Sequence, residues 1–124
     1  MRLNQVTLPA RDIFRAKVFY TALGLKLIVD APPRYARFAC PDGDSTLSVE
    51  LSEHPPGGTV VYFEYDDLDA NVARLKAAGF VFDSGPVDQS WLWREAHLRD
   101  PDGNMLCLFH AGKNQLDPPW RVKS

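Results

Sequence analysis

An internal repeat narrows what this chain can fold into more than any other feature: the same order of signals occurs twice, about 55 residues apart. Gln5-Val6-Thr7-Leu8 leads to Asp12, and an amphipathic stretch then stops at Gly24. Val60-Val61-Tyr62-Phe63 leads to Asp67, and a second amphipathic stretch of the same length stops at Gly79. Each copy runs on through strand-like segments to a Pro-Asp-Gly turn, at Pro41-Asp42-Gly43 and Pro101-Asp102-Gly103. Two copies are too few for a solenoid. The expectation is a pair of modules that complete one site between them.

Local chemistry fills in each copy. Residues 3–8 alternate and are expected to stop as a strand at Pro9. Asp12 can accept from the free N–H groups of a first helical turn, and Ile13, Ala16, Phe19, Tyr20 and Leu23 recur at helical spacing. Gly24 supplies a left-handed stop. Strand-like runs follow near 25–29, 35–39 and 46–52, and His54-Pro55-Pro56-Gly57-Gly58 reads as a linker. The second copy repeats the order: a strand at 59–65, a helix capped by Asp67 with Leu68, Val72 and Leu75 on one face, then strands near 80–83, 91–99 and 105–109. The tail from Ala111 is polar and Pro-rich apart from Trp120 and is expected to be irregular.

Each module therefore reads βαβββ, with boundaries 3–53 and 59–110 and a tail 111–124, in one domain spanning 1–124. The expected class is α+β: two modules side by side in a curved mixed sheet, helices outside and a cup within. A net charge of −2 with no Lys/Arg cluster argues against nucleic acid as a partner. No run approaches the roughly 18 apolar residues of a membrane span. Cys40 and Cys107 form neither a zinc-type pair nor a disulfide framework, so a reduced, cytoplasmic protein is expected.

Strand alternation sorts side chains between faces. Leu47, Val49 and Leu51 are assigned to the helix side, sending Ser48, Glu50 and Ser52 into the cup. By the same rule Gln5, Thr7, Val60, Tyr62, Glu64, Trp91, Trp93, Glu95, His97, Met105, Cys107 and Phe109 line it. Glu50 stands out as a carboxylate between apolar neighbours. If buried it needs a compensating partner, and if the sheet face is open it is simply solvated. Asp66, Asp67 and Asp69 read as helix caps, Asp100, Asp102 and Asn104 as turn residues, and Arg34, Arg37 and Arg94 as solvated.

The βαβββ duplication, Phe19-Tyr20 before Leu23-Gly24, the run Tyr65 to Asp69, and Asp100-Pro101-Asp102-Gly103-Asn104 together resemble the vicinal oxygen chelate superfamily. That superfamily includes glyoxalase I, bleomycin-resistance proteins, fosfomycin-resistance enzymes and extradiol dioxygenases. The resemblance covers residues 3 to 110 and implies its fold, while leaving the reaction open. In metal-dependent members the ligands come from the first and last strand of each module, which the resemblance carries onto Gln5, Glu50, Val60 and Cys107. Gln5 and Glu50 are compatible with ligation; Val60 cannot ligate, and Cys107 replaces a usual glutamate. The resemblance thus implies a degenerate metal site with no resident cofactor, in which Gln5, Glu50 and Cys107 are the remaining metal candidates.

Two main function classes follow. One is a homodimeric binding protein holding a small, cationic, aromatic molecule through Gln5, Glu50, Tyr62, Glu64, Trp91, Trp93, His97, Cys107 and Phe109. The other is an enzyme: a divalent-metal lyase or isomerase of glyoxalase type, or a metal-free one with Glu50 as catalytic general base and His97 as proton partner. A third reading is a small dimer whose cup is vestigial.

Overall fold

The structure, a computed structural model, describes residues 1–123. The first copy forms β1 (Gln5–Ala10), α1 (Ile13–Leu23), β2 (Lys26–Ala31), β3 (Tyr35–Ala39) and β4 (Thr46–Leu51). The second forms β5 (Val60–Glu64), α2 (Leu68–Ala77), β6 (Phe82–Asp88), β7 (Arg94–Arg99) and β8 (Met105–His110), followed by a short 3₁₀ turn over Gly112–Asn114. The result is two four-stranded mixed sheets, ordered β1-β4-β3-β2 and β5-β8-β7-β6, each carrying one helix. In both, the first strand pairs parallel with the last, and the remaining pairings are antiparallel. No described helix is long and apolar enough to cross a membrane.

The chain divides into two compact units. One is Met1–Thr59 together with the turn Asp100–Asn104; the other is Val60–Arg99 with the chain from Met105 onward. In the first unit, Asp12 caps α1 by accepting from Phe14 N at 2.9 Å and Arg15 N at 3.3 Å. Ile13, Ala16, Tyr20 and Leu23 point inward from α1, and Leu8, Ala36, Phe38, Leu47 and Val49 are buried on the strands. In the second, Asp67 accepts from Ala70 N at 3.2 Å, and α2 packs over β6 and β8 with Leu68, Val72 and Leu75 buried.

Several features differ from the sequence expectation. β1 continues through Pro9 to Ala10 because it is an edge strand, where a residue without an N–H can turn that position away from the ladder. Leu51, assigned to the helix side, ends β4 and is 43% exposed. β6 extends to Asp88 through register shifts around Gly85-Pro86, again on an edge. β7 begins only at Arg94: Gln89 N donates to Trp93 O and Leu92 N to Gln89 O, closing a turn in which Leu92 adopts φ 67. Trp91 and Trp93 therefore project from a turn, not from a strand. In the tail, Trp120 is exposed.

The tightest polar knot in the first unit is the carboxylate of Asp100. Its Oδ2 accepts from Tyr20 Oη at 2.7 Å and Asn104 Nδ2 at 2.8 Å, and its Oδ1 from the backbone N–H of Asp102 and Asn104, both at 2.9 Å. Asn104 Nδ2 also donates to Pro9 O at 2.9 Å, and Arg11 N donates to Asp102 Oδ1 at 2.7 Å. Burial, and then the Asp100 charge, push the Tyr20 phenol far above the tyrosine range, so it stays a donor. Removing that donor leaves a buried carboxylate short of a partner. Tyr20→Phe is expected to lower stability by about 2 kcal/mol, read as an earlier urea midpoint at unchanged slope; an unmoved midpoint would contradict this role.

Candidate functional site

The two modules can be superposed by register alone. In the first, Gln5 pairs with Thr46, Thr7 with Ser48 and Pro9 with Glu50; Arg37 and Tyr35 face Ser48 and Glu50 across the antiparallel ladder. In the second, Val60 pairs with Met105, Tyr62 with Cys107 and Glu64 with Phe109; His97 and Glu95 face Cys107 and Phe109. Ser48 thus corresponds to Cys107, Arg37 to His97, Tyr35 to Glu95, and Glu50 to Phe109. The first module's turn is one residue longer: Cys40 N reaches Ser45 O, whereas Asp100 N reaches Asn104 O.

This register corrects the position carried over by resemblance, because the counterpart of Cys107 is Ser48 and not Glu50. Gln5 and Glu50 stand four residues apart along the β1–β4 ladder, about 13 Å at a rise of about 3.3 Å per residue. Donors around one ion at metal bonds of about 2.0–2.3 Å lie far closer than that. Gln5 is also engaged, its Oε1 accepting from Thr46 Oγ1 at 2.9 Å. Val60 has no donor atom and cannot ligate. Glu50 is exposed, so solvent meets its charge.

In the second unit, one sheet face gathers Tyr62, Trp93, Glu95, His97, Cys107 and Phe109. Trp93 stacks on Phe109 with centroids 4.7 Å apart, and Tyr62 meets both edge-on at 6.0 and 5.6 Å. Trp93 Nε1 donates to Asn114 O at 3.2 Å, and Phe109, Cys107 and Ala111 are buried beneath, so Trp93 and Phe109 form a small core. Tyr62 and Trp91 are about half exposed. Beside them Glu95, buried at 4% exposure, accepts from Trp91 Nε1 at 2.7 Å on Oε2 and faces His97 Nε2 at 3.0 Å on Oε1. Cys107 Sγ lies 3.9 Å from the same His97 nitrogen. Burial, reinforced by the Glu95 charge, pushes the Cys107 thiol up to about 12. The Tyr62 phenol is also raised, by burial first and then by Cys107 and Glu95.

The equivalent positions in the first unit carry the opposite chemistry. Tyr35 Oη shares a 2.6 Å hydrogen bond with buried Ser48 Oγ and accepts from Arg37 Nε at 2.9 Å, with the Arg37 guanidinium over the Tyr35 ring. The Ser48 hydrogen bond, then Arg37, lower the Tyr35 phenol's pKa.

Of the residues expected from sequence, Tyr62, Trp91, Trp93, His97, Cys107 and Phe109 gather in the second unit, while Gln5 and Glu50 lie on the first. Glu64 is on the correct strand but is spent locally: its Oε2 accepts from Ala111 N at 2.9 Å and Gly112 N at 3.0 Å, fixing the start of the tail. Glu95, one of the residues that alternation assigns to this face, is the centre of the cluster. Arg37 and Arg94 are not free cations: Arg37 serves Tyr35, and Arg94 pairs with Asp69 at 2.8 Å and Asp88 at 3.1 Å. The Glu95-x-His97 spacing on one strand face was the available signal for the cluster.

Two titrations follow. Cys107, held protonated through mildly alkaline pH, is expected to react with a thiol-specific disulfide reagent at pH 8 only after unfolding. Rapid labelling of both cysteines in the folded chain would contradict its burial. Tyr35 is expected to ionise earlier than Tyr20 and Tyr62 in an ultraviolet pH titration, a step that Tyr35→Phe removes and Arg37→Gln delays; an unchanged titration in both variants would refute the assignment.

Comparison with known proteins agrees with this architecture. The family profile for the Glyoxalase/Bleomycin resistance protein/Dioxygenase superfamily matches residues 2–108. Among solved structures, TnmS3, an antibiotic binding protein from Streptomyces sp. CB03234, is 30% identical, with a TM-score of 0.77 over 90% of this chain and 96% of its own. A glyoxalase/bleomycin resistance protein from the same source is 32% identical, with a TM-score of 0.69 over 86% and 98%. A bleomycin-binding protein complexed with bleomycin is 25% identical, with a TM-score of 0.71 over 89% and 98%. No curated protein matches the chain. With the repeat, the two-sheet fold and nearly the whole length matched, the chain belongs to the Glyoxalase/Bleomycin resistance protein/Dioxygenase superfamily.

Proposed function

We propose that this chain captures a small, planar, cationic molecule on the β5–β8–β7 face, with no chemical step required. One observation carries the reading. Tyr62 and Trp91 leave aromatic surface open to solvent, and both lie within reach of the charge or hydrogen bonds of the buried carboxylate Glu95. A planar cation gains from both parts, since ring faces are electronegative and Glu95 supplies a fixed negative charge shielded from water. Trp93 and Phe109 support the shelf from below instead of offering contact surface. That TnmS3 is an antibiotic binding protein and the other relative a bleomycin-binding protein fits this reading. A cytoplasmic homodimer is part of the proposal, and light scattering on the purified chain tests the dimer.

The test is tryptophan fluorescence titrated with planar cationic aromatics and their neutral counterparts. Saturable quenching is expected, stronger for the cations. Tyr62→Ala should weaken it by about 1 kcal/mol, roughly fivefold in Kd, and Glu95→Gln should erase the preference for positive charge. Equal binding of neutral and charged compounds, or an unaffected Tyr62→Ala variant, would overturn the proposal.

A further inference from the structure

We propose that Glu95, His97 and Cys107 form a binding site for a single Zn²⁺ ion, using two residues outside the four positions implied by the family resemblance. Their donor atoms all lie within 4.8 Å of one another. His97 Nε2 is the shared vertex, 3.0 Å from Glu95 Oε1 and 3.9 Å from Cys107 Sγ. Donors around a tetrahedral zinc ion with bonds of about 2.0–2.3 Å stand roughly 3.3–3.8 Å apart. Small side-chain rotations therefore suffice to close the set.

Backbone register, not chance proximity, brings the donors together. Glu95 and His97 are two apart on β7 and share a face, and Cys107 sits directly across the ladder from His97. Trp91 Nε1 holds the far carboxylate oxygen at 2.7 Å, the outer contact that orients a ligating carboxylate and leaves Oε1 for the ion. Charge points the same way. No Lys or Arg among the described residues pairs with Glu95, whose one ionic neighbour is His97. A buried carboxylate without a cation is costly, and a divalent ion supplies the missing charge. The His97 side chain is 36% exposed, which gives an entry path and leaves room for a water as fourth ligand. A sulfur, nitrogen and oxygen set suits zinc, whereas Mg²⁺ and Ca²⁺ want oxygen alone. On binding, the Cys107 thiol proton passes to buffer, the ion exchanges waters for one sulfur, one nitrogen and one oxygen bond, and no oxidation state changes.

The inference rests on donor geometry and not on the aromatic-capture reading; because a bound Zn²⁺ takes up the Glu95 charge which that reading uses, cation capture is tested on the chelator-treated chain and metal binding by the titration below. The intact chain, stripped with chelator under reducing conditions, is titrated with Co²⁺ and then Zn²⁺. One equivalent of Co²⁺ is expected to give a thiolate charge-transfer band in the near ultraviolet, abolished by Zn²⁺. Cys107→Ser should lose the band. His97→Ala, at a part-exposed side chain that the fold tolerates, should weaken Zn²⁺ binding by more than the roughly tenfold expected for Trp91→Phe. Glu50→Ala, in the first unit, should keep one equivalent. The absence of a saturable cobalt signal, a band that survives Cys107→Ser, wild-type affinity in His97→Ala, or loss of binding in Glu50→Ala would each overturn it.

Discussion

The hydrogen bonds that saturate the Asp100 carboxylate are the constraint on which the rest depends. They fix the turn from Asp100 to Asn104, and that turn sets the register of β7 against β8. Side chains alternate with a period of two, so a slip of one residue would send Cys107 to the opposite face and part it from His97. The same carboxylate takes the Tyr20 hydroxyl from α1, while Asn104 reaches Pro9 on β1. One buried acid therefore links helix packing and strand position in the first unit. Its two oxygens each accept two hydrogen bonds, which is why a charge can sit there at 5% exposure.

The two modules share a ladder but not a chemistry. At equivalent positions the first places Ser48, Arg37 and Tyr35, and the second Cys107, His97 and Glu95. The first set is cationic, with its phenol pulled toward ionisation by Ser48 and Arg37. The second is anionic and soft, with its thiol held protonated by burial and Glu95. One backbone pattern thus presents opposite electrostatic faces, as expected where a duplicated fold keeps its packing residues and varies the residues on the other face.

Much of this was legible in the residues. Asp12 and Asp67 marked the helix starts because a short carboxylate satisfies free N–H groups whatever surrounds it. Alternation placed Tyr62, Cys107 and Phe109 on one face because strand geometry leaves no choice. Other features were not legible. Glu50 stands between apolar neighbours, which left burial and solvation both open; it lies near the exposed end of β4, and no local pattern reports how far a strand runs under cover. The extra residue in the Cys40–Ser45 turn shifted the true counterpart of Cys107 to Ser48, which only strand pairing reveals.

By itself the sequence determined the duplication, the element order and the sorting of faces, since these rest on short-range sterics and periodicity. Tertiary structure alone decided register, burial and partner choice. It made Glu95 the centre of a cluster, turned Glu64 into a clamp on the tail, and engaged Arg37 with Tyr35. These outcomes depend on which strands lie side by side and how deeply each is covered, and a side chain's chemistry is set by neighbours that are distant along the chain.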